Sequence, residues 1–67
     1  MITVFLNNKT YTIEAGLNLY DFLIQTNQLK EYVAVIVNNS LVVRREFRTT
    51  FLHSNDCVDI LLPMQGG

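Results

Sequence analysis

The sequence predicts an α+β domain: a mixed sheet of four or five strands, one main helix across one face, and a tail after the last strand. Three observations carry that reading. Apolar residues recur with a period of two at the beginning, middle and end of the chain; they recur with a helical period only once; and 49% of the 67 residues are apolar against 16% charged. A chain with that balance buries a core instead of staying disordered. A single helix can cover only one face of a sheet, so the layers number two.

The opening "ITVFLN" sets Ile2, Val4 and Leu6 against Thr3 and Phe5, the alternation of a strand with one face toward a core. Asn7 and Asn8 tolerate the left-handed backbone of a tight hairpin, which makes Thr10 to Ile13 the returning strand. Gly16 breaks the pattern and is suited to a positive φ. Leu19, Phe22, Leu23 and Thr26 then share one helical face, and the helix is expected from about Leu19 to about Asn27. Asn18 is its N-cap, Leu17 and Phe22 have the spacing of a hydrophobic staple, and Asp21 meets the positive end of the helix dipole. Leu29 is expected to pack underneath as the chain leaves.

"YVAVIVNN" is the most β-branched stretch and reads as a strand buried at the centre of the sheet. Asn38 and Asn39 supply another turn, residues 41–43 a short returning strand, and "RREFRTTFLHSND" an irregular connection with one helical turn. In "CVDILL", Val58, Ile60 and Leu62 alternate with Cys57, Asp59 and Leu61, and Pro63 ends the strand because proline cannot donate to a sheet ladder. In the ubiquitin-like β-grasp version of this element order the first and last strands lie parallel and adjacent in the middle. The reading is then one domain over residues 1–67, with 63–67 as an exposed tail held up by a rigid central strand.

Composition narrows the function. Six acids against five bases make no concentrated positive field, so neither nucleic acid nor an anionic membrane is an expected partner. One cysteine excludes an intramolecular disulfide framework, and no basic and apolar leader of the secretory kind opens the chain, so a cytoplasmic location is expected. No apolar run approaches the roughly 20 residues that span a bilayer.

Few side chains suggest chemistry of their own. His53 and Cys57 are the sole residues of their types and flank Asp56, but zinc needs three or four ligands and a nucleophilic cysteine needs an environment that lowers its pKa. A structural role for Cys57 and no metal site are the expectation. Arg44, Arg45 and Arg48 surround Glu46, a pattern that suits either a solvated loop or an acidic or phosphate-bearing partner. The alternation also places Phe5, Ile36 and Leu61 on the outward sheet face, a docking surface if they are contiguous, with Arg44 as a further docking candidate.

Two of the three glycines stand at positions 66 and 67, an arrangement expected by chance in roughly 0.5% of chains when glycine is about 7% of residues. A carboxylate is a poor electrophile, since its charge repels nucleophiles and oxide leaves badly. Attack on a phosphorus of ATP, with Mg²⁺ and basic groups of an activating enzyme holding the phosphates, converts it to an acyl-adenylate. The chain end must then pass down a narrow channel into another protein. Gly66 and Gly67 have the smallest cross-section and place no side chain beside the reacting carbonyl.

The segments "ITVFLNN", "EAG" before the amphipathic helix, "VAVIVNN", "VVRREF", the "ND-V-I" lead into the last strand and the terminal "QGG" together resemble the ThiS family of thiamine-biosynthesis sulfur carriers, over essentially the whole chain. The resemblance implies a carrier and not an enzyme. Gly67 would be adenylated by a ThiF-type adenylyltransferase using ATP and Mg²⁺, converted to a thiocarboxylate with sulfur from a sulfur donor enzyme, and would pass that sulfur to thiazole synthase. Gly66, Gln65 and Met64 would enter the partner's active site, and no cofactor would be bound permanently. Two positions depart from the family's pattern: Val43 stands where proline often precedes the arginine, and Asn55 where "GD" is common. Two alternatives are a molybdopterin synthase small subunit-type carrier and a non-catalytic β-grasp binding module. An enzyme built on His53 and Cys57 is a further, weaker reading.

Overall fold

The computed structural model describes residues 1–61. Its elements are β1 (Ile2–Leu6), β2 (Lys9–Ile13), α1 (Leu19–Gln25), β3 (Ala34–Val37), β4 (Ser40–Val42), a 3-10 helix (Arg44–Thr49) and β5 (Cys57–Leu61). The sheet has five strands in the order β2-β1-β5-β3-β4. β1 and β5 run parallel, with Phe5 opposite Cys57 and Leu6 opposite Val58; the other pairings are antiparallel. This is the ubiquitin-like β-grasp arrangement expected from the element order.

Asparagines close both hairpins. Asn7 and Asn8 have φ of 47° and 71°, and Asn38 and Asn39 have 51° and 69°. Two consecutive positive φ values define the two-residue turn whose twist matches the strands it joins. β2 begins one residue earlier than Thr10, because the two-residue turn brings Lys9 opposite Leu6.

α1 starts as its sequence dictates. The Asn18 side-chain oxygen accepts the Asp21 N–H at 2.8 Å, and Leu17 is partly buried against the core that contains Phe22. The end comes earlier than Asn27. Asn27 takes a φ of 59°, its N–H donates to the Ile24 carbonyl, and the Gln28 N–H reaches the Leu23 carbonyl at 2.7 Å. That pair of bonds is a Schellman stop, which satisfies the last carbonyls and turns the chain. Gly16, with φ of 88°, occupies the turn before the helix that the Leu17 N–H closes onto the Glu14 carbonyl.

The reading of residues 32–39 needs correction. β3 is four residues long, Tyr32 lies outside it and is 67% exposed, and only Val35 of the strand is fully buried. The central strand is β5, with β3 beside it. One helix shields one face, so the opposite face of β3 is left without a covering layer and the strand alternates after all. β4 likewise begins and ends one residue before the expected 41–43, and Val43 instead caps the 3-10 helix.

The long connection is more ordered than its sequence suggests. Its 3-10 helix buries Phe47 completely, and Leu52 follows into the same core. The Leu19 N–H donates to the Thr50 carbonyl and the Leu52 N–H to the Leu17 carbonyl, tying the connection across the start of α1. Tyr11 meets Phe22 edge to face at 5.9 Å, so β2 also packs under the helix. Leu29 packs against the core as expected. β5 is described through Leu61, and the expected alternation of Leu62 and stop at Pro63 lie outside the described residues.

Asn38 has two functions and Asn39 one. Asn38 supplies a left-handed turn position, and its amide also accepts the Cys57 N–H and donates to Asp56 Oδ1, each at 2.9 Å. Asn39→Gly is therefore expected to leave stability within a few tenths of a kcal/mol, whereas Asn38→Gly loses two hydrogen bonds and costs about 1–2 kcal/mol. Urea denaturation of the two variants checks this; equal midpoints would show that only the backbone angle matters.

Candidate functional site

β5 alternates in the way a half-covered strand must. Val58 and Ile60 enter the core, while Cys57, Asp59 and Leu61 face away from the helix. Cross-strand register assembles their neighbours. Ile36 lies between Asp59 and Leu41, Ala34 is opposite Leu61, and Phe5 is opposite Cys57. Directly opposed and diagonal residues on one face are within side-chain reach. Phe5, Ile36 and Leu61 thus belong to one outward surface, joined by Leu41, a contributor the sequence reading did not single out. Leu41 is 67% exposed and Leu61 56% exposed, so the patch is open to a partner.

The lead into β5 is fixed by a web around Asp56. Its carboxylate accepts the His53 N–H at 2.8 Å and the Asn38 amide at 2.9 Å, while its carbonyl accepts the Phe5 N–H at 2.9 Å. Asn7 mirrors Asn38 from the other hairpin, accepting the Ile60 N–H at 2.8 Å through its side chain. β5 is held from both sides by an asparagine that also makes a turn. Asn55, at φ 70°, carries the left-handed bend that a glycine would otherwise provide, and Val43 has φ of −76°, an angle proline adopts. Both departures from the resembled pattern therefore preserve the backbone geometry.

The other candidates separate. His53 is 81% exposed and its ring is 3.9 Å from Asp56, whose oxygens are engaged by the loop's own donors. Cys57 presents a free, exposed thiol on the outer sheet face rather than a side chain packed as a small apolar residue. No group of three or more metal-ligating side chains occurs among the described residues. Arg44 donates to the Lys30 carbonyl at 2.8 Å and the Glu31 carbonyl at 3.4 Å, tying down the α1–β3 connection, and Arg48 stacks over Tyr20 at 4.2 Å. The arginines do not form one cluster. Met64, Gln65, Gly66 and Gly67 lie outside the described residues. No helix among the described residues is long and apolar enough to cross a membrane.

One covered sheet face, one open face and a C-terminal strand running through the centre define a ubiquitin-like protein whose last strand leads directly to its closing residues. The chain belongs to the ThiS family, whose model matches residues 4–67. It is similar to the crystal structure of a thiamine biosynthesis protein (ThiS) from Geobacter metallireducens, at 29% identity and a TM-score of 0.85, covering 98% of this chain and 100% of that one. It is also similar to the solution NMR structure of a thiamine biosynthesis protein from the same organism, at 27% identity and a TM-score of 0.75, covering 98% and 88% of the two chains. No curated protein matches the chain.

If Asp56 is structural and His53 is not catalytic, their substitutions differ in kind. Asp56→Ala is expected to cost about 1–3 kcal/mol by leaving donors unpaired, and His53→Ala less than about 0.5 kcal/mol. Thermal denaturation measures both; a large loss for His53→Ala would show that the exposed ring has a structural role.

Proposed function

We propose that this protein is a sulfur carrier for the assembly of the thiamine thiazole. The observation that carries the reading is the match to the ThiS family through residue 67, which includes the closing Gly66 and Gly67. The likeness to thiamine biosynthesis proteins over 98% of the chain supports the same pathway in preference to the molybdopterin one. The fold suits the task, since β5 lies at the centre of the sheet and is hydrogen-bonded on both sides.

In this reading the Gly67 carboxylate attacks the α-phosphorus of ATP on a ThiF-type adenylyltransferase, pyrophosphate leaves, and an acyl-adenylate forms. Sulfur at the sulfide level, delivered by a sulfur donor enzyme as HS⁻ or its bound equivalent, adds to the carbonyl and expels AMP, and loss of the proton leaves a thiocarboxylate. That sulfur is a strong nucleophile held on a protein address, and thiazole synthase receives it without release of free sulfide. ATP and Mg²⁺ belong to the activating enzyme. Gly66 provides the narrow approach, and Gln65 and Met64 line the mouth of the partner's channel. Phe5, Ile36 and Leu61 dock the globule, and Arg44, whose guanidinium is engaged by the Lys30 and Glu31 carbonyls, is the further docking candidate.

Intact-mass measurement after incubation with ATP, the adenylyltransferase and a sulfur source is expected to show exchange of one oxygen for one sulfur at Gly67. One residue added after Gly67 abolishes the exchange. Absence of the exchange in the unextended chain, with binding to the partner retained and unaffected by the extension, would remove the carrier reading in favour of a docking module. Leu61→Asp, on the exposed face, is expected to raise the KM for the carrier about tenfold or more by placing an unpaired charge in an apolar contact, with folding stability unchanged. An unaltered KM would exclude the outer face as the docking surface.

A further inference from the structure

The outward-facing strand positions carry a single formal charge, Asp59. It is half-buried, and among the described residues its carboxylate makes no side-chain hydrogen bond or ion pair. Residues 62–67 contain no lysine, arginine or histidine, so they offer it no counter-charge either. The carboxylate therefore has no counter-charge of its own on this face and is available to one from another molecule.

The surroundings of Asp59 specify the shape of that complement. A depression of about 530 Å³ is lined by Phe5, Asn8, Asn38, Asn39, Cys57 and Asp59. The two asparagine turns form its rim from opposite sides of β5: β1 runs parallel to β5 and brings the first turn beside Val58 and Ile60, while β3 runs antiparallel and brings the second beside Cys57. The Asn38 amide is committed to Cys57 and Asp56. Asn8 and Asn39 offer amide oxygens, Phe5 an aromatic ring and Asp59 a carboxylate. This set suits a guanidinium, which chelates a carboxylate through two parallel N–H groups, donates its remaining N–H groups to neutral oxygens and stacks on an aromatic ring. A hard divalent ion would require more charged oxygen ligands than one carboxylate.

We propose that this depression is the socket for an arginine side chain presented by the protein that receives the C-terminal residues, with Asp59 as its ion-pair partner. The inference rests on the carrier reading above. A protein is the occupant because Asp59 stands on the last strand, eight positions before Gly67, beside an exposed apolar patch suited to a macromolecular contact. The apolar patch of Ile36, Leu41 and Leu61 adjoins Asp59 and provides the surrounding contact. Pairing inside an apolar surround discriminates against partners that lack the arginine, since these leave the carboxylate desolvated and unmatched.

The test is ATP-dependent adenylation of the full chain by its adenylyltransferase, at low and high salt. Asp59→Asn removes the charge at nearly constant shape, and Glu14→Gln, an exposed acid in the turn before α1, makes the same change in net charge away from the sheet face. Asp59→Asn is expected to raise KM about tenfold with kcat little changed and to flatten the salt dependence, while Glu14→Gln leaves both as in the wild type. An enzyme variant with glutamate in place of the facing arginine should restore activity to Asp59→Lys. Equal KM values and salt slopes for Asp59→Asn and Glu14→Gln would overturn the proposal while leaving the carrier reading intact. Absence of adenylation of the wild-type chain would remove both. Denaturation midpoints shared by the variants and the wild type exclude a folding effect, and tight, saturable binding of free Mg²⁺ to the isolated chain would overturn the assignment to a protein partner.

Discussion

Insertion of β5 between β1 and β3 is the contact on which the rest of the structure depends. The β1–β2 and β3–β4 hairpins are each local and each complete their own turn, but no strand of one pairs with a strand of the other. Only β5 joins them, through parallel bonds to β1 and an antiparallel ladder to β3. The parallel pairing closes a loop of nearly the whole chain, whose entropic cost has to be met before the contact forms. Val58 and Ile60 offset that cost by completing the core, and the amides of Asn7 and Asn38 pin the strand from either side.

Asparagine is the residue that makes this compact. Every non-glycine residue with positive φ among those described is an asparagine: Asn7, Asn8, Asn27, Asn38, Asn39 and Asn55. Glycine would reach the same angles with less strain, but it has no side chain with which to bridge to the next strand. At positions 7 and 38 the amide binds β5, so the turn that reverses one hairpin also holds the strand belonging to neither. The same turns rim the depression beside Asp59, which couples the scaffold to its open surface.

Particular residues mark how far the sequence could be followed. The Asn18 cap, the two asparagine turns, the Gly16 turn and the inward set Val4, Leu6, Val58 and Ile60 follow from local preferences and periodicity, and each stands where it was expected. The parallel neighbours β1 and β5 followed from the element order. By contrast, Phe47 and Leu52 sit in a stretch with neither period, and their burial depends on the 3-10 helix docking against α1. Periodicity has no means of reporting a core residue supplied by irregular backbone. Arg44 and Arg48 looked like one basic cluster because they are close in sequence, yet one binds loop carbonyls and the other an aromatic ring.

Local chemistry alone determined the turns, the start of the helix and the order of the strands, with strand ends displaced by one or two residues, because capping, left-handed φ and side-chain alternation act over a few residues. The sequence also shows the glycine pair at positions 66 and 67 on which the proposed carrier chemistry rests. Tertiary structure decided which strand is central, that β3 is covered on one face only, and that Phe5, Ile36, Leu41, Asp59 and Leu61 share a surface. Those outcomes depend on cross-strand register between segments far apart in the chain, and register is settled only when the competing faces are buried together.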